Sequence, residues 1–349
     1  MPRVTLTEWL MVPLALVAIA LVAFLLAEAS SEQGPTAGRP DAYTRPYGPR
    51  APWNIPVAGI PRHPESDHYA DLLWNKATGS RPGNFNLSFT EYTYPVYYVQ
   101  DATGEYPVKL RRPWGNLDGA RVPWNPAWKP APGTDAQIIL LDPETGREWN
   151  FWQVQFRDGA IHASNANLVD GDYRTKEDGF APSRGVGIQY LAMLVRPEEV
   201  VQGEIQHALS MPICNTSGEL YVAPATKLEH PDNPPGIPEG MRFALDVTDE
   251  QIKEWISSLP SELPEGMKRY AGILARALRD YGWFITDTSG AAHLQHEAWV
   301  SAGEKWKALG LAPIDAGGKQ YPRDLLDGLM TRDRIYALVP SDQYPSPSR

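Results

Sequence analysis

The chain has one cysteine, Cys214, among its 349 residues. No internal disulfide can form, so stability must come from buried apolar area. Cationic charge is also scarce: 32 Lys and Arg against 42 Asp and Glu leave a net charge of −10, with no basic run to offset it. That excludes a phosphate-tracking groove, and with it nucleic acid as a partner. Catalytic fingerprints are missing as well. With no G-x-x-x-x-G-K-[ST], G-x-G-x-x-G or G-x-S-x-G, nothing points to a P-loop NTPase, a dinucleotide enzyme or a lipase-like hydrolase. "HLQHE" (293–297) fits neither H-E-x-x-H nor H-x-x-E-H, and on a strand His293 and His296 would face opposite ways. No metal and no cofactor is implied. An extracellular peptidase would lack a recognisable nucleophile.

What the chain does have begins with "WLMVPLALVAIALVAFLLA" (9–27), an uncharged apolar run preceded by Arg3 and followed by Glu28 and Glu32. At about 1.5 Å per residue a helix of this length crosses roughly 30 Å of hydrocarbon. The charge bias places the remainder outside the cytoplasm. "AEA" (27–29) has the small-x-small form of a signal cleavage site, but the run is longer than a usual signal core, which favours an anchor. Residues 1–29 are therefore expected to be a transmembrane anchor or signal peptide, and 30–62, with seven prolines from Pro35 to Pro61, a semi-rigid linker. Residues 63–339 read as a single globular domain and 340–349 as a disordered tail.

Within the domain, "YTYPVYYVQ" (92–100) and "AQIILLD" (136–142) read as strands. "RPEEVVQGEIQHAL" (196–209), "TDEQIKEWISSL" (248–259) and "EGMKRYAGILARALRDYG" (265–282) read as helices. "YGWFITDTSGAAHLQHE" (281–297) reads as a hairpin turning at Ser289-Gly290. Helices and strands do not alternate regularly, so the expected class is α+β, with an antiparallel, sandwich-like sheet core and several packed helices.

The most informative stretch is "REWNFWQVQF" (147–156), apolar on both faces. A four-residue turn at "PETG" sets Ile138 opposite Phe151 and Leu140 opposite Trp149, and a two-residue turn at Asp158-Gly159 sets Asn165 opposite Trp152. One face is core. The other carries Gln137, Glu148, Asn150, Trp152 and Asn165, an aromatic plane among amides and a carboxylate that would suit a sugar ring. It also carries Ile139, Leu141 and Val154, which would suit a second core. Trp114, Trp124 and Trp128 lie in the Pro/Gly-rich loop just before this hairpin, either extending a glycan platform or plugging the loop onto the core.

A carboxylate glycosidase needs two acids about 5–9.5 Å apart. In this register Asp135 faces Val154, about 20 Å along the strand from Glu148, so the two do not pair. A partner for Glu148 would come from another segment, such as the acidic loop 169–179. Glu148 and His207 are the catalytic candidates, with Gln137, Asn150, Trp152, Asn165 and Arg242 binding substrate, Arg242 by neutralising a uronate. The expectation is thus an extracytoplasmic carbohydrate-active protein, a polysaccharide hydrolase or lyase, with a glycan as partner and the membrane held through 9–27. The alternative is a non-catalytic, membrane-anchored envelope or surface-binding domain.

Overall fold

The computed structural model describes residues 44–79, 81–178, 183–311 and 324–345. The expected membrane segment, and the tail beyond Pro345, lie outside them. Among the described residues no helix is long and apolar enough to cross a membrane. The described residues form a mixed α and β protein with strands in several sheets and five α-helices.

The register of the 138–168 region is as the turn chemistry requires. Ile138–Asp142 pairs antiparallel with Arg147–Trp152, Ile138 opposite Phe151 and Leu140 opposite Trp149, and Trp152 stands opposite Asn165 in the strand Asn165–Leu168. Val96–Tyr98 completes this sheet, running parallel to Ile138–Asp142. The chain breaks direction at Gln153, which has a left-handed φ of 53°. Beyond that bend Gln155–Arg157 and Ala160–Ala163 join a different sheet, with Gly104–Leu110 and Arg121–Trp124. Side chains of both sheets share one apolar cluster containing Ile138, Leu140, Trp149, Phe151, Trp124 and Ile161.

The other face of the first sheet is also core. Ile139 and Leu141 pack with Tyr47, Trp53, Val186, Ile188, Tyr190 and Phe284. A strand covered on both sides has no polar alternation to display, which explains why 147–156 is apolar both ways. The described part of the proline-rich stretch, from Arg45, belongs to this same compact unit. Trp53 is buried in it, and the Tyr47 hydroxyl reaches Glu148 at 2.6 Å.

A second mixed sheet holds Leu209–Ile213, Trp283–Thr288, Arg242–Leu245 and Ile335–Ala337 in that order. The helix Glu265–Asp280 supplies Met267, Tyr270, Ala271, Leu274, Ala277 and Leu278 to its core, spaced at the helical period. The helix Asp249–Ser258 starts at a capping box, with Gln251 N donating to Thr248 Oγ1 at 3.2 Å and Thr248 N donating to Gln251 Oε1 at 2.8 Å.

Two expected elements are corrected. The helix expected over 196–209 stops at Gln202, because Gly203 takes φ 89° and caps it; the chain then enters the strand Leu209–Ile213. The expected hairpin over 281–297 does not form. Trp283–Thr288 pairs with Leu209–Ile213 and Arg242–Leu245, while His293–Gln295 pairs in parallel with Asn86–Ser88. The purely antiparallel core is corrected with them, since each of the five sheets among the described residues contains a parallel pair once distant segments come together.

Candidate functional site

The short ladder between Asn86–Ser88 and His293–Gln295 builds one wall of a cleft of about 650 Å³. Alternation does the sorting. Leu87 and Leu294, paired in the middle, enter the core, while Asn86, Ser88, His293 and Gln295 line the cleft. Asp287, Thr288 and the turn 289–291 form a second wall, Asp135 and Gln137 a third, and Glu91 and Tyr92 close the rim. Among the described residues the lining contains three carboxyl groups, several amides and hydroxyls, and neither Lys nor Arg.

Two rim residues hold unusual backbone. Tyr92 has φ 55° and Ala136 φ 40°, conformations that cost non-glycine residues energy and must be imposed by their surroundings. At Tyr92 the carbonyl accepts Gln295 Nε2 at 2.8 Å. Around Ala136 the carbonyls of Asp135 and Ala136 accept the amides of Gln153 and Val154 at 2.7 and 3.1 Å. These contacts leave the Tyr92 ring 41% exposed at the mouth. They also fix Asp135, whose Oδ2 accepts Gln137 Nε2 at 3.1 Å, while the buried Oε1 of Gln137 has no hydrogen-bond partner.

Beneath the cleft lies Arg184, almost fully buried. Nη1 donates to Ser210 Oγ and Gln295 Oε1, each at 2.8 Å, and Nη2 donates to the carbonyls of Tyr190 and Ala192 at 3.0 and 3.1 Å. Its guanidinium stacks over Tyr94 at 4.8 Å. Arg184 thereby sets the side chain that in turn holds Tyr92.

Asp287 is the electrostatically distinctive group. Burial first, then the charge and hydrogen bond of Glu229 and the charge of Glu239, hold its carboxyl well above the usual carboxylate range, against the pull of Arg184. Glu239 is pushed up to about 9, by burial and then by Glu229. His293 is held below its ordinary value by burial, so its imidazole stays neutral. Asp287 and Asp135 both line this cleft. A carboxyl that keeps its proton, a second carboxyl and a neutral imidazole are the equipment of acid–base chemistry.

Of the residues singled out from sequence, Gln137 lines the cleft and the others lie elsewhere. Glu148 is sealed in the core, its carboxylate taking Tyr47 Oη at 2.6 Å, Asn150 Nδ2 at 2.7 Å and Leu191 N at 3.1 Å. Asn150 Oδ1 accepts Tyr190 N at 3.0 Å, so the pair pins the 186–194 segment onto the sheet. Asn165 is buried beside Asn167, whose Nδ2 donates to its Oδ1 at 2.7 Å. Trp152 stacks on Trp114, which is 50% exposed, away from the cleft lining; Trp124 and Trp128 are buried as plugs. His207 is buried against Glu199 at 2.9 Å; burial opposes its charge, but Glu199 prevails and raises its pKa. Arg242, also buried, donates to the carbonyls of Tyr281, Ile55 and Pro52. In the acidic loop Asp172 is held by Arg174, and Glu177 by Arg50. Among the described residues no group of three or more His, Cys, Asp or Glu is arranged to hold a metal ion.

Glu148 is thus a strut, and Glu148→Ala should lower unfolding stability by about 3 kcal/mol, because three donors lose their acceptor in a buried site. Denaturant midpoints at constant slope would check this; an unchanged midpoint would contradict the assigned role.

Comparison with protein-family models, curated proteins and solved structures found no match to this chain.

Proposed function

We propose that this chain is an extracytoplasmic carbohydrate-active enzyme, a glycan hydrolase, working in the cleft between Asp135 and Asp287. The observation that carries the reading is that Asp287 and Asp135 line one cleft, the Asp287 carboxyl being pushed above the usual carboxylate range by burial and then by Glu229. In glycoside hydrolysis one carboxyl donates a proton to the departing oxygen while another acts as base or nucleophile. Asp287 takes the first role and Asp135 the second. Asn84, Asn86, Gln137 and Gln295 supply hydrogen bonds to sugar hydroxyls, and the Tyr92 ring offers its face to a pyranose.

Hydrolysis is favoured over uronate lysis by the lining. A lyase must neutralise the uronate carboxylate, and among the described residues the cleft has no Lys or Arg to do so, while Arg242 is committed to core carbonyls. The run at 9–27 supports anchorage with the cleft outside the cytoplasm.

The test is incubation of the full-length protein with neutral, amino-bearing and uronate glycans, following new reducing ends and, for lysis, unsaturated products. Release of reducing ends from a neutral or amino-bearing glycan supports the reading. Unsaturated product from a uronate would overturn it in favour of a lyase, and tight binding without turnover would favour the surface-binding alternative. Tyr92→Ala should raise KM roughly tenfold, about 1.4 kcal/mol of lost stacking, and change kcat little. A fall in kcat with constant KM would remove Tyr92 from the binding role.

A further inference from the structure

Glu229 and Glu239 do not line the cleft, yet Glu229 meets Asp287 at one backbone amide: Thr288 N donates to Asp287 Oδ1 at 3.1 Å as well as to Glu229 Oε2. The backbone fixes this cluster. Thr288 N, next to Asp287, donates to Glu229 Oε2 at 3.0 Å, and Glu229 N approaches Glu239 Oε2 at 3.4 Å. Glu239 is buried at the end of the strand Ile237–Glu239, its Oε1 without a partner. Carboxyl groups gathered around one amide away from water oppose one another's ionisation, and Asp287 and Glu239 are both shifted upward.

We propose that Glu229 is a positioning residue for the cleft: its carboxyl shares a proton with Asp287, orients the Asp287 hydroxyl and keeps Asp287 a proton donor at neutral pH. This rests on the assignment of Asp287 as the acid. Glu239 backs the same arrangement from behind by disfavouring loss of the proton held between Glu229 and Asp287. The other charged groups acting on the cluster are Arg184, which pulls Asp287 toward ionisation, Lys227, which does so for Glu239, and His230, whose Nε2 is 3.5 Å from Glu229 Oε1. Asp135 acts on the same tyrosines, Tyr94 and Tyr190, as Asp287 does.

Glu229→Gln removes the shareable charge and keeps a hydrogen-bonding side chain of the same shape. In the full-length protein the alkaline limb of the pH profile of kcat/KM should move to lower pH by about one unit or more. KM for the same glycan and the rate on the acidic side should stay within about twofold. Glu239→Gln should move the limb in the same direction by less, and serves if the first variant fails to fold. An alkaline limb that stays in place in a folded variant overturns the proposal.

A second readout separates this inference from the cleft's assignment. Carboxyl carbon NMR of Asp287 should show its titration midpoint lowered by Glu229→Gln whether or not any glycan is cleaved. Failure of every glycan with a shifted midpoint would sink the reaction and leave the proton sharing standing. An unshifted midpoint overturns the sharing itself.

Discussion

Asp287→Asn is expected to lower kcat by about 10²- to 10⁴-fold on whatever glycan the cleft accepts, the range for losing a positioned general acid. The amide has nearly the same shape and can still hydrogen-bond Glu229, so KM should change little. Activity of the wild type should fall as pH rises through the folded-state pKa of Asp287, because the proton to be donated is then gone. Stability gives an independent check. A carboxyl whose pKa is raised on folding contributes stability that is fully present below its unfolded value of about 3.9 and lost as pH rises through the folded value. Wild type should therefore lose stability relative to Asp287→Asn on going from acid to alkaline pH, and denaturant midpoints at a series of pH values would show it. A parallel course for the two proteins would mean that Asp287 ionises normally and the acid must be sought elsewhere.

The strand pairing around 138–168 was legible because its turns carry it. "PETG" and Asp158-Gly159 fix two registers, which hold over 138–142 with 147–151, at Trp152 with Asn165, and over 155–157 with 160–162; the pairing expected of Asp135 with Val154 is absent, because the left-handed residues Ala136 and Gln153 end the ladder. The faces were less legible. Ile139 and Leu141 alternate with Ile138 and Leu140, so both faces are apolar, and segments distant in the chain, 47–53 and 186–194 with Phe284, make the second face core. Once it does, Glu148 and Asn150 become struts, since a buried polar group in a native protein is ordinarily a satisfied one. Their residue types are the same for a strut and for a sugar site. Local reading also failed where parallel pairing decides the outcome. Nothing near "HLQ" indicates that its partner is "NLS" some two hundred residues earlier, and without that ladder the cleft cannot be drawn. Asp135 has no acid within reach along its own strand pair; the cleft it lines also holds Asp287, on the strand Trp283–Thr288. One signal for Asp287 was present in "WFITDT", a buried strand whose apolar run ends on an acid.

Arg184→Met should be the most destabilising single change, by about 3–5 kcal/mol, the cost typical of breaking a buried charged network by removing one member. The substitution leaves the carbonyls of Tyr190 and Ala192 without their guanidinium donor and takes from Gln295 Oε1 and Ser210 Oγ one of their partners. It also withdraws the positive charge that favours ionised Glu148 on one side and opposes the proton on Asp287 on the other. Arg184→Lys should recover only part of the loss, since an ammonium cannot reproduce a planar fork that reaches five acceptors and stacks on Tyr94. The functional consequence follows from the chain of contacts. Gln295 is positioned by Arg184 and holds the Tyr92 carbonyl, so loosening Arg184 should release the left-handed turn at the rim. In the lysine variant, if folded, KM should rise while the pH profile shifts to higher pH, because the charge pulling on Asp287 is less well placed. A lysine variant with wild-type KM and stability would show that the fork beneath the cleft is dispensable, and would separate Arg184 from the site it underlies.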